Sequence, residues 1–140
     1  MPQVMAIDYG TKRTGIAVTD DLQMIASGLK TVPTDGLMDF LKSYCAQEEV
    51  VCFVLGEPKT LKNQASTIEA EIQRFVEKLK KAFPQTPIER VDERFTSKMA
   101  FQAMIDGGLS KKRRKDKALI DEVSATLILQ SYLYRKNKEK

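Results

Sequence analysis

An aspartate that closes an apolar run is the first residue in this chain that asks for a chemical explanation. In Val4-Met5-Ala6-Ile7-Asp8-Tyr9-Gly10-Thr11-Lys12-Arg13-Thr14-Gly15, Val4 to Ile7 are apolar on both alternating faces, as a strand covered on both sides requires. An ionised carboxylate at the end of such a strand is costly unless a cation or hydrogen-bond donors compensate it. Metal binding or phosphate chemistry therefore competes with a plain turn in which the acid caps its own backbone. Further acids follow at Asp92-Glu93-Arg94, at the end of the short strand Ile88 to Val91, and at Asp121, early in a helical pattern. The chain contains no histidine, which removes His general bases, Ser-His and Cys-His nucleophile pairs and ordinary zinc sites, leaving carboxylates as the catalytic equipment. Cys45 and Cys52 have neither metal-ligand nor redox spacing and read as buried free thiols.

The elements that must hold these acids can be read in order. Gly10 and Gly15 bracket a polar turn, so Ile16-Ala17-Val18 pairs back on the first strand as a hairpin, and Met24 to Val32 adds a third strand to the meander. Thr34 or Asp35 then caps a helix to about Gln47, with Leu37, Phe40, Leu41 and Tyr44 on one face. Val50 to Leu55 is an unbroken apolar run ending in Gly56, hence a buried strand parallel to the first because a helix crosses between them. Gly56-Glu57-Pro58-Lys59 falls at the strand end, the edge of a parallel sheet where ligands bind and the edge that receives Asp8. A helix follows from about Ser66 to Ala82, carrying Ile68, Ile72, Phe75, Val76 and Leu79 at 3.6-residue spacing. Side chains alternate along a strand, so Asp92 and Glu93 cannot both face one site, and periodicity does not choose between them. Thr96 or Ser97 opens a helix that Gly107-Gly108 ends. The final helix spans about Lys117 to Tyr134, with an expected stripe of Leu119, Ile120, Val123, Leu127, Ile128, Ser131 and Tyr134.

The 140 residues fit one domain with a real core, 42% hydrophobic and 30% charged. No apolar run approaches the roughly 20 residues that cross a bilayer, and no signal peptide is evident, so a cytoplasmic protein with no membrane role is expected. The net charge of +4 is unevenly spread. Lys111 to Lys117 carries +5 and Tyr134 to Lys140 carries +3, which leaves −4 for the rest. An acidic body beside gathered basic charge suits a protein that chelates cations in one place and holds a polyanion next to it. Residues 135–140 read as a disordered basic tail.

The pattern Asp8-Tyr9-Gly10-Thr11-Lys12-Arg13-Thr14-Gly15-Ile16-Ala17-Val18, with Gly56-Glu57-Pro58, Asp92-Glu93-Arg94-Phe95-Thr96 and Asp121-Glu122-Val123-Ser124-Ala125, resembles the YqgF family, also called RuvX, of Holliday junction resolvase-like proteins and pre-16S rRNA nucleases. The resemblance covers about residues 3 to 134. It implies an RNase H-like α/β fold, a five-stranded mixed sheet built from an antiparallel three-strand meander plus two parallel strands, with helices on both faces. It also implies metal-dependent phosphodiester cleavage in structured RNA or branched DNA, with Asp8, Glu93 and Asp121 as catalytic acids and Mg²⁺ or Mn²⁺, two ions, as cofactor. Hard cations of this kind take oxygen ligands, and two of them can activate water and stabilise the leaving oxygen without a side-chain nucleophile. The resemblance favours Glu93 over Asp92 as the metal-facing acid. Glu57 departs from the family, many of whose members have an apolar residue there; it is a fourth ligand or a rim residue beside Lys59. Arg13, Lys59, Arg94, Lys111, Lys112, Arg113 and Arg114 are candidate phosphate contacts, acting in a monomer or a homodimer. Two other classes compete: a nucleic-acid-binding factor without catalysis, and an actin-like ATPase or sugar kinase, for which the chain is too short to supply a second domain.

Overall fold

The computed structural model describes residues 2–20, 23, 25–57, 68–92 and 117–138. Lys59, Glu93, Arg94, Lys111, Lys112, Arg113, Arg114 and the expected helix after Thr96 lie outside these residues. Strands β1 (Gln3–Asp8), β2 (Arg13–Thr19), β3 (Ala26–Pro33), β4 (Val50–Glu57) and β5 (Ile88–Asp92) form one sheet in the order β3-β2-β1-β4-β5. β1 with β2 and β2 with β3 run antiparallel, whereas β4 lies parallel to both β1 and β5. The expected meander and parallel pair are both present. Helices α1 (Leu37–Gln47) and α2 (Glu69–Ala82) provide the crossovers, and α3 (Lys117–Lys138) completes the described chain.

Alternation along the strands sorts the core into two layers. On one face Met5, Ile7, Ile16, Phe53 and Leu55 pack under Leu37 and Leu41 of α1 and Ile72, Phe75, Val76 and Leu79 of α2. On the other, Val4, Ala6, Ala17, Cys52, Val54 and Val91 pack under Ala125, Ile128, Leu129, Tyr132 and Leu133 of α3. Helices therefore cover both faces. Each fully buried Leu, Ile or Phe contributes roughly 1.5–3 kcal/mol relative to exposure.

Three local expectations are corrected. The buried stripe of α3 is Ser124, Ala125, Ile128, Leu129, Tyr132 and Leu133, whereas Tyr134 is 68% exposed and Ser131 also faces water. The helix turns its small residues inward because it lies against small residues of the sheet: Gly28 of β3 meets Glu122 and Thr126, and Ala6 and Ala17 lie in the same layer. Secondly, α3 continues through residues 135–138, where the basic composition led us to expect a disordered tail. Arg135 lies over the Tyr132 ring at 5.6 Å and reaches Glu89 at 3.9 Å. Thirdly, neither Thr34 nor Asp35 caps α1. Thr34–Gly36 is a 3₁₀ turn, Gly36 stands at the N-cap position, and no side chain caps the helix.

Candidate active site

Asp8 is the last residue of β1, and the alternation that buries Val4 and Ala6 beneath α3 gives Asp8 that face. Its partner across the antiparallel pair is Gly15. Gly15 exists for a close approach: a Cβ there would run into the carbonyl of Asp121 and come within 3.1 Å of the Asp121 Cβ. The backbone of α3 thus rests on the residue paired with Asp8. Two acids separated by more than a hundred residues of sequence are brought together across one missing side chain. Arg13, two residues before Gly15 on the same face of β2, donates from Nε to Asp121 Oδ2 at 2.9 Å. The guanidinium is 41% and the carboxylate 23% exposed, so this pair is screened by water and orients more than it stabilises.

The connection from Asp8 to Arg13 is fixed by hydrogen bonds. Thr34 donates from Oγ1 to the Gly10 carbonyl at 2.6 Å, its N–H donates to the Lys12 carbonyl at 3.0 Å, and its hydroxyl meets that of Thr14 at 2.9 Å. Gly10 is required because a Cβ would strike the carbonyl of Arg13. The 3₁₀ turn thus serves the turn after β1 instead of the helix that follows it. Tyr9, one residue on from Asp8, packs on Phe75 with ring centroids 5.2 Å apart and donates to Glu71 Oε1 at 3.0 Å. Burial, with the Glu71 bond, pushes the Tyr9 phenol up to about 12.

On the α2 side of the same sheet edge, Arg90 of β5 donates to Glu69 through both terminal nitrogens, at 2.8 and 3.1 Å, and to the Gly56 carbonyl at 2.9 Å. The Arg90 bond holds the Glu69 carboxyl below its usual range. Three segments, the ends of β4 and β5 and the start of α2, are tied at one guanidinium. The alternation that places Phe53 and Leu55 in the α1/α2 layer gives Glu57 the face opposite Asp8, and Asp92, which pairs with Glu57, shares that opposite face. Among the described residues no group of three or more acids or thiols is set to hold a metal ion. Of the candidate residues, Arg13 and Asp121 are joined directly, and Asp8 lies beside them through its pairing with Gly15. The thiols of Cys45 and Cys52 are free, and burial pushes both up in pKa.

A sheet ordered 3-2-1-4-5, covered among the described residues by one helix on one face and two on the other, is the RNase H-like architecture, and solved resolvases share it. Over 97% of this chain and 96% of the other, the Thermus thermophilus RuvC structure in complex with Holliday junction substrate superposes with a TM-score of 0.57 at 18% identity. The fowlpox virus Holliday junction resolvase does so with 0.54 at 11% identity, covering 95% and 99% of the two chains. The chain belongs to the RuvX family: the family model described as "RuvX: Holliday junction resolvase" matches residues 2–135. Relatives named "Putative pre-16S rRNA nuclease" are 59% identical in Christiangramia forsetii, over 96% of this chain and 99% of that one, and 57% identical in Flavobacterium johnsoniae, over 97% and 99%. Among the described residues no helix is long and apolar enough to cross a membrane.

Proposed function

We propose that this protein is a divalent-metal-dependent endonuclease that hydrolyses phosphodiester bonds in structured nucleic acid, with the 5′ end of pre-16S rRNA as the leading substrate. The observation that carries the reading is the convergence of Asp8 and Asp121 across Gly15. One carboxylate at the end of a central strand and one on the helix seated beside it are oxygen donors of the kind Mg²⁺ and Mn²⁺ take. The third acid of this reading is Glu93, on the strength of the family resemblance, while Glu57, which shares the face of Phe53 and Leu55, is proposed as a rim residue. When bound by these acids, one or two divalent ions supply an activated water and a counter-charge for the leaving oxygen.

The chain's own groups do the remaining work. Asp8 ends a central strand and Asp121 sits on a helix seated on Gly15, so both acids are carried by packed elements instead of free loops. Arg13 neutralises Asp121 in the structure; on substrate binding it releases that carboxylate and takes a phosphate bidentately, a geometry that suits a guanidinium. Lys59, Arg94 and the run Lys111, Lys112, Arg113 and Arg114 are proposed as further phosphate contacts. A second substrate, branched DNA, is favoured by the likeness to a RuvC structure holding a Holliday junction. Paired cuts in a junction call for a homodimer, whereas trimming an RNA end requires only a monomer.

The test is cleavage of a labelled pre-16S rRNA fragment and of a four-way DNA junction with Mg²⁺ or Mn²⁺. Asp8→Asn and Asp121→Asn are each expected to lower the rate about 10³-fold, several kcal/mol of transition-state stabilisation, with the melting temperature held. Undiminished cutting by both variants would sink the assignment. Binding without cleavage across both metal titrations would convert the protein into a non-catalytic binding factor of the same fold.

A further inference from the structure

The turn after Asp8 opens on two sides. Away from α3 it leads into a cleft of about 470 Å³ between α1 and α2, lined by Tyr9, Thr11, Thr34, Arg74, Phe75 and Lys78 among others. A shallower hollow of about 390 Å³, lined by Met38, Lys42, Lys78, Lys81 and Ala82, continues it through the shared Met38 and Lys78. Arg74, Lys78 and Lys81 fall on one stripe of α2, at positions i, i+4 and i+7, and Lys42 faces them from α1 one turn after Met38. Among the described residues no acid forms an ion pair with any of these four cations. Two acids also line the groove, Asp35 and Glu71. Glu71 is engaged at its sheet-edge end by the hydroxyls of Tyr9 and Thr11, at 3.0 and 3.3 Å. Four cations against two acids leave the groove positive.

We infer that this α1/α2 groove holds the phosphate backbone of the nucleic-acid strand as it leaves the acid site, a contact surface separate from the basic run after residue 110. The inference deepens the nuclease reading and rests on it. Geometry supports the match. Arg74 to Lys81 spans about 10 Å at 1.5 Å per residue, or about three nucleotides of one strand at roughly 3.4 Å each. The groove begins at Tyr9 and Thr11, next to Asp8 in the chain, so a strand whose scissile phosphate sits at the acids reaches it by passing over the end of β1 to the other face of the sheet. Its walls offer the hydroxyls of Tyr9, Thr11 and Thr34 and four cations but, beyond Tyr9 and Phe75, which pack on each other at a tilt, little aromatic surface. Backbone charge, common to RNA and DNA, is therefore what it reads.

The experiment measures binding of a fluorescent RNA hairpin with a single-stranded extension, and of a four-way DNA junction, from 50 to 300 mM salt in EDTA. It uses the full chain and the variant Arg74→Gln/Lys78→Gln/Lys81→Gln. Loss of three phosphate contacts is expected to flatten the slope of log K against log salt by about 2 on the single strand and nearly 3 on duplex, and to weaken binding at least tenfold at 50 mM. Lys80→Gln serves as control: Lys80 sits on the same helix, 60% exposed, against Glu77 at 3.8 Å, and should leave the slope unchanged. A triple variant that keeps its fold by circular dichroism and keeps the parent's slope overturns the groove, whatever its cleavage activity. The nuclease reading fails by a different result, undiminished cleavage in Asp8→Asn. A parent that binds neither probe removes both.

Discussion

The two faces of the sheet are covered in contrasting ways. Beneath α3 the contact residues are small: Gly15 and Gly28 let the helix backbone approach, and Ala6, Ala17 and Ala125 fill the layer between. Beneath α1 and α2 the layer is built of Met5, Ile7, Ile16, Phe53 and Leu55, which keep the helices further off and leave a cleft at the sheet edge. Close packing fixes position and wide packing makes room. Asp8 and Asp121 lie on the first face and the positive groove on the second, so on the proposed reading one sheet edge is rigid where the acids are aligned and open where the strand would pass.

That contrast can be broken in measurable steps. Gly15→Ala should be the most damaging single methyl, costing about 3 kcal/mol through overpacking and lowering cleavage further by displacing Asp121. Gly28→Ala is its control, since a Cβ there finds Thr126 Oγ1 at 3.4 Å and Glu122 Cβ at 3.5 Å, and it should stay within about 0.5 kcal/mol in urea melts. Equal losses in the two variants would refute the close approach at Gly15. Saturating Mg²⁺ should raise stability by about 2.7 kcal/mol at a hundredfold excess over its dissociation constant. Asp8→Asn should abolish that gain, whereas Glu57→Gln, on the other face, should keep it.

The smallest effects concern a tyrosine on each face. Tyr9 and Tyr132 are both pushed to about 12 from an ordinary 10.0, burial being the main cause in each. A raised folded pKa means the contribution of the neutral phenol is complete below pH 10 and is lost as pH rises through 12. Urea midpoints should therefore fall across that window, and Tyr9→Phe and Tyr132→Phe should each shallow the fall. At pH 7 Tyr9→Phe should cost about 1 kcal/mol, the worth of its bond to Glu71.

The strands were legible because uninterrupted apolar runs and a glycine-bracketed turn leave few other readings. Asp8 stood out for the same reason, as the one charge closing such a run. The inward face of α3 was misread because hydrophobic periodicity follows bulk, and here Ser124 and Ala125 face the sheet while Leu127 and Tyr134 do not. Gly15 was read as a turn residue. Its role as the seat of α3 depends on a contact over a hundred residues away, which no local pattern encodes. Arg13 was assigned to phosphate from its neighbours in sequence, and the structure adds its bond to Asp121. The α2 cations were passed over, although Arg74, Lys78 and Lys81 recur at helical spacing opposite the apolar stripe and were visible in principle. The side of the sheet taken by Glu57 could also have been read, from its even spacing with Phe53 and Leu55.

The seating of α3 on Gly15 has a temporal consequence for a chain made from its N-terminus. Asp8 is synthesised well before Asp121, which arrives only with α3, after the five described strands. A nascent polypeptide still lacking that segment has no Asp121 to set beside Asp8. On the proposed reading, the pairing of Asp8 with Asp121 therefore waits until α3 has been made and has docked on Gly15.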